Sequence, residues 1–146
     1  MGRSLVALFG IVSVALALLA QANEKPTDAF QKAMREAGAV LQTVRAASKE
    51  IEDSGAGSQD YTPFETASAS MKKEFPATLA FWQARKADDA VKLAEQTMKA
   101  VADLEAAARE RDYRLVLEAS TALAATCTAC HAAHRVRLAD GTYEIK

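Results

Sequence analysis

The two cysteines of this chain stand three residues apart, and a histidine follows the second at once: Cys127-Thr128-Ala129-Cys130-His131. On an α-helix, side chains three and four positions apart share a face, so these three reactive groups project to one side within about one turn. The flanking residues favour that helix. From Asp112 the apolar and motif positions Leu115, Ala119, Leu123, Cys127, Cys130, His131, His134 and Leu138 follow a helical period, and Asp140-Gly141 is a plausible stop. Two thiols and an imidazole on one helical face constrain everything else, because the rest of the chain must pack around whatever they hold.

Four chemistries use such a pair. A thioredoxin-like redox couple belongs beside a βαβ pattern, and no run in this chain alternates long enough to supply strands. A structural zinc site needs four ligands arranged tetrahedrally, yet both cysteines and both histidines, His131 and His134, fall in one eight-residue stretch. A plain disulfide would close so short a loop that it stabilises little, and it leaves His131 without a role. Covalent attachment of a c-type haem uses all three residues, with the two sulfurs on the vinyl groups along one edge and the imidazole on the iron; Cys-x-x-Cys-His is the signature of that attachment.

The N-terminus agrees with export. Arg3 precedes an almost wholly apolar run from Leu5 to Leu19, which ends at the small-x-small site Ala20-Gln21-Ala22. This pattern predicts a signal peptide over 1–22, cleaved after Ala22, and a mature domain over 23–146 in an oxidising compartment such as the periplasm. The run is shorter than the roughly 20 residues a spanning helix needs, and no other segment reads as long and apolar enough. Loss of Arg3 takes the formal net charge from −1 to −2. That balance, with charges of both signs scattered along the chain, gives no indication of nucleic-acid binding or of a polybasic membrane anchor.

Helix signals account for most of the mature chain. One stretch from about Thr27 to Ile51 carries Phe30, Met34, Ala37, Leu41 and Val44 on one stripe and stops at the Gly/Ser-rich run 53–58. A second opens at the capping box Thr62-Pro63-Phe64-Glu65 and should break near Pro76, leaving Phe81 and Trp82 on a short helix or packed loop as core anchors. A third runs from Asp88-Asp89 to about Arg109, and the fourth bears the cysteines. Four helices joined by mostly short loops predict an all-α antiparallel four-helix bundle with its covalent haem against the last helix.

The occupant of the iron's sixth position decides the chemistry. His134 is three residues beyond His131 on the same helix and cannot reach the opposite face of the ring. Met34, Met71 and Met98 remain. In an antiparallel bundle the end of the last helix meets the start of the first, which puts Met34 at the level of His131, with Met71 towards the other end and Met98 mid-helix. Met34 is therefore the expected ligand, and an open iron the alternative. The carboxylates form no isolated pair suited to acid–base catalysis, so no enzyme activity is expected.

The motif Cys127-Thr-Ala-Cys130-His131-Ala-Ala-His134-Arg135 near the end of a four-helix chain, with Lys32-Ala33-Met34-Arg35-Glu36-Ala37-Gly38 on the first helix, resembles the class II cytochromes c. The likeness covers essentially the whole mature chain. That family comprises the cytochromes c′ and their low-spin relatives. The resemblance implies a methionine ligand at Met34, as in the low-spin electron carriers, where cytochromes c′ have an apolar residue and a five-coordinate iron that binds nitric oxide or carbon monoxide. Position 134 departs from the aromatic usual in the family, whereas Arg135 matches a common basic residue and suggests an electrostatic role at the haem edge. The expectation is an exported monohaem one-electron carrier that meets redox proteins in transient contacts; the resemblance also allows a homodimer through the first two helices.

Overall fold

The computed structural model describes residues 23–54 and 60–146. The expected leader, residues 1–22, and most of the Gly/Ser-rich run lie outside the described residues. The described residues are all-α in class, with five helical segments: α1 (Asp28–Ser54), α2 (Thr62–Glu74), α3 (Pro76–Arg85), α4 (Asp88–Glu110) and α5 (Tyr113–His134).

Buried side chains on α1 recur as Ala33, Ala37, Leu41, Val44, Ala47 and Ile51, a helical stripe one residue wide. On α4 the matching stripe is rich in alanine, with Ala90, Ala94, Ala100, Ala107 and Ala108 interleaved with Val101 and Leu104, so neighbouring backbones approach closely. Helix α4 packs along α5 and against α2 and α3, while α1 packs against α2, α3 and α5. Phe64, Met71, Leu104 and Leu123 are the largest side chains sealed in the resulting core.

The break at Pro76 follows from the missing N–H of proline, which interrupts the ladder of helical hydrogen bonds. The Phe75 N–H still reaches the Met71 carbonyl at 2.9 Å, and the Phe75 carbonyl accepts from Thr78 and Leu79 to start α3. Phe81 and Trp82 therefore belong to a helix. The Thr62 capping box does not form, because Thr62 is already helical. Asp60 Oδ1 instead accepts the Thr62 N–H at 2.9 Å, and the Tyr61 carbonyl accepts from Phe64 and Glu65. The last helix starts near Asp112 as expected, and the structure adds that Asp112 caps it, its Oδ1 accepting the Leu115 N–H at 3.0 Å.

The C-terminal region differs from the sequence expectation. Helix α5 ends at His134, so Leu138 lies beyond it, and Asp140-Gly141 turns a hairpin rather than stopping a helix. Strands β1 (Arg135–Arg137) and β2 (Tyr143–Ile145) pair antiparallel, with Arg137 opposite Tyr143 and Arg135 opposite Ile145. Gly141 takes φ +85°, a conformation that costs glycine little. The returning strand finishes α5: the Lys146 N–H donates to the His134 carbonyl at 3.1 Å, and Lys146 Nζ donates to the Ala132 carbonyl at 3.0 Å. Glu24 adds one bridge to Ile145, with N–H···O distances of 2.9 and 2.8 Å, and its carboxylate pairs with Arg85. A second correction concerns α5 itself. It is long and apolar enough to cross a membrane by length and composition, a property that comes from its many alanines and leucines; in the fold its Val116, Ala119 and Leu123 are buried.

Candidate functional site

One end of the molecule gathers the chemistry. The last turns of α5 bring Cys127, Cys130, His131 and His134, α1 contributes Phe30 and Met34, α3 contributes Phe81 and Trp82, and the start of α4 contributes Asp89. Aromatic contacts tie these elements together. The Phe30 ring lies 4.0 Å from Phe81 and 5.7 Å, edge-on, from Trp82. The Trp82 ring lies 5.0 Å from the His134 imidazole. The first turn of α1 thus meets the last turn of α5 across the indole. Met34 lies one turn inward from Phe30 along α1, and His131 about one turn inward from His134 along α5.

Cys127 and Cys130 are half-buried, packed against the core, and not bridged to each other. Burial raises both thiols above their ordinary range. For Cys130 the Cys127 and Asp89 charges add to it, and the thiol is pushed up to about 11; for Cys127 the Arg45 guanidinium opposes the rise. Burial lowers the His131 imidazole, and the positive charge of Arg135 lowers it further, which favours the neutral ring that binds a metal. A hydroxyl bridge lies just N-terminal to the cysteines, where Thr97 Oγ1 donates to Thr126 Oγ1 at 2.9 Å and pins α4 to α5.

Met34 is half-buried against the core. Met71, by contrast, is 1 % exposed, as a pure packing residue should be, and Met98 is half-buried on α4. Arg135 is the first residue of β1; its backbone N–H donates to the His131 carbonyl, and its guanidinium lies 4.2 Å over the Tyr143 ring. Sequence reasoning treated Trp82 only as an anchor and Asp89 only as a helix start. Asp89 Oδ2 lies 3.0 Å from His134 Nε2, off the line of an N–H···O hydrogen bond, and Trp82 Nε1 is buried with no acceptor among the described residues. The signal for these roles was weak, since only the fold brings the start of α4 to the end of α5.

The donor set fits a haem held by two sulfurs and one imidazole: two unbridged thiols and a neutral-leaning imidazole on one half-buried helical face, beside an aromatic wall. Among the described residues, no three Cys, His, Asp or Glu side chains converge as a protein-only metal site would require. No family model matches the chain, and no curated protein or solved structure is similar to it.

Proposed function

We propose that this protein is an exported, periplasmic monohaem c-type cytochrome of the class II type, a four-helix bundle that carries single electrons between redox proteins. The observation that carries the reading is the grouping of Cys127, Cys130 and His131 on one half-buried face of α5, the helix against which the Met34-bearing α1 packs. The circuit of packed helices, α1 on α2, α2 on α4, α4 on α5 and α5 on α1, supports the bundle.

When bound, the haem supplies an iron that takes up and returns one electron. Cys127 and Cys130 would hold the group through their sulfurs, and the His131 imidazole would bind the iron on the α5 side. The Met34 thioether would bind it from α1, and a methionine partner raises the potential relative to two nitrogen ligands. Phe30, Phe81 and Trp82 would exclude water, and helices braced by aromatic contacts would keep both ligands in place as the charge changes. No residue is assigned a catalytic role.

The absorption spectrum of the purified holoprotein, recorded with and without carbon monoxide, tests this reading. A low-spin spectrum indifferent to the gas is expected. A high-spin spectrum with ready binding would instead identify a five-coordinate, cytochrome c′-like protein that takes carbon monoxide or nitric oxide, and absence of a covalent haem spectrum would refute both.

A further inference from the structure

Several surface cations along the helices are matched by carboxylates, among them Lys49 with Asp53, Lys99 with Asp103 and Arg109 with Glu105. On the hairpin that pattern changes. Arg135 and Arg137 stand two apart on β1, both exposed, and neither has a carboxylate partner among the described residues. The nearby acids do not answer them. The Asp140 carboxylate accepts the Thr142 N–H at 2.9 Å and its hydroxyl at 2.6 Å, and Glu144 stands opposite Val136, on the alternate side of the ladder. Two like charges have been left side by side on a chain whose net charge is negative.

We propose that this hairpin is the surface on which an acidic redox protein docks, with Arg135, Arg137 and Tyr143 as its contact residues; the inference rests on the electron-carrier reading above. The Arg135 guanidinium already lies over the exposed Tyr143 ring, so less side-chain freedom is lost when a partner arrives. Arginine and tyrosine are the residue types that concentrate binding energy at interfaces. A local positive patch on an acidic protein also orients an acidic partner, because the rest of the surface repels it. The patch begins one hydrogen bond from His131, where the Arg135 N–H meets the His131 carbonyl. Between them α5 exposes only the small residues Ala132 and Ala133, over which a partner can approach closely. Two guanidiniums are too few for the several phosphate contacts that give nucleic-acid binding its affinity.

The test is the stopped-flow rate at which an acidic blue-copper protein, used as the probe, oxidises the reduced holoprotein. At an ionic strength of about 0.01 M, Arg135→Gln/Arg137→Gln should react about tenfold more slowly than the parent. The difference should close at about 0.15 M, where the screening length falls from about 30 Å to about 8 Å. Lys49→Gln/Lys99→Gln removes the same charge elsewhere and should stay near the parent rate, as should Arg135→Lys/Arg137→Lys, which keeps the charge. Equal rates for the two glutamine pairs, in proteins whose measured potentials agree, would overturn the inference and leave the carrier function standing. The alkaline pyridine spectrum of each preparation reports covalent haem separately, and a parent protein without it would overturn the function and this inference together.

Discussion

Met34→Leu separates a ligand from a packing residue because leucine keeps nearly the volume and removes only the sulfur. Met34 is half-buried, on the turn between Phe30, which touches the aromatic wall, and the buried Ala37. As a near-isosteric change at a site that is only partly enclosed, the substitution should cost below about 1.5 kcal/mol, a shift of a few degrees in melting temperature for a domain of this size. The same change at Met71, which is 1 % exposed, falls in a similar range or slightly above it. Stability therefore does not distinguish the two sites; the iron does. In Met34→Leu the spectrum should pass from low spin to high spin, and the reduced protein should bind carbon monoxide. In Met71→Leu neither should change. Thermal melts followed by circular dichroism and spectra of the same samples check both halves. A Met34→Leu protein that remains low spin and indifferent to the gas would refute ligation by this thioether, whatever its melting temperature.

Three further outcomes follow from other parts of the fold. Leu123→Ala, at a site 1 % exposed and one turn before Cys127, should destabilise by about 2–5 kcal/mol in denaturant titration. A loss under about 1 kcal/mol would show that this part of the α4–α5 contact is loose. In haem-free protein, Cys130, pushed up to about 11 from an ordinary 9.0, is deprotonated only well above neutral pH, so at about pH 8 its thiolate fraction is about a hundredfold lower than in the unfolded chain. Alkylation by iodoacetamide, followed by mass spectrometry, should accelerate by about that factor in urea; equal rates would show the thiol free of the core. Arg111, at φ 56° after α4, holds a left-handed conformation that is strained for a residue with a β-carbon. Arg111→Gly relieves that strain against a smaller gain in unfolded-chain freedom, and should stabilise by about 0.5 kcal/mol. A fall in melting temperature would mean that the guanidinium contributes more than the backbone does.

The helical periods, the proline break and the start of the last helix near Asp112 were legible because each depends on residues within one or two turns. The stops after α3 and α4 were less so, since the left-handed positions there are Lys86 and Arg111 rather than the glycine that usually marks such an end. Thr62 illustrates the same limit at a helix start: the capping pattern was present, but Asp60, two residues earlier, accepts the N–H first. The hairpin was missed for a different reason. Its strands have three residues each, too short for any alternation to register, and it is held by distant groups, the carbonyls of α5 and the backbone of Glu24. Of the site, the Cys127–Cys130–His131 face was readable from spacing alone, whereas the meeting of Trp82 with His134, and of Asp89 with both His134 and Cys130, depends on which helix ends the fold brings together.

The interruption at Pro76 connects these observations. Without an N–H at that position the second helix cannot continue as one uninterrupted ladder, and the chain re-initiates a helix on the Phe75 carbonyl. The new segment, ten residues long, carries Phe81 and Trp82 next to each other, so their rings occupy different sides of the helix. Both still reach Phe30, and Trp82 also reaches His134. One short helix therefore braces the start of α1 against the end of α5, the two segments that bear Met34 and His131. Arg85, near the end of the same helix, takes the Glu24 carboxylate and through it the hairpin strand at Ile145. A proline at the start of this helix thus shapes how the segments that bear Met34 and His131, almost a hundred residues apart in sequence, are braced together. A lone unbroken helix would give its aromatic residues no comparable reach across that end of the molecule.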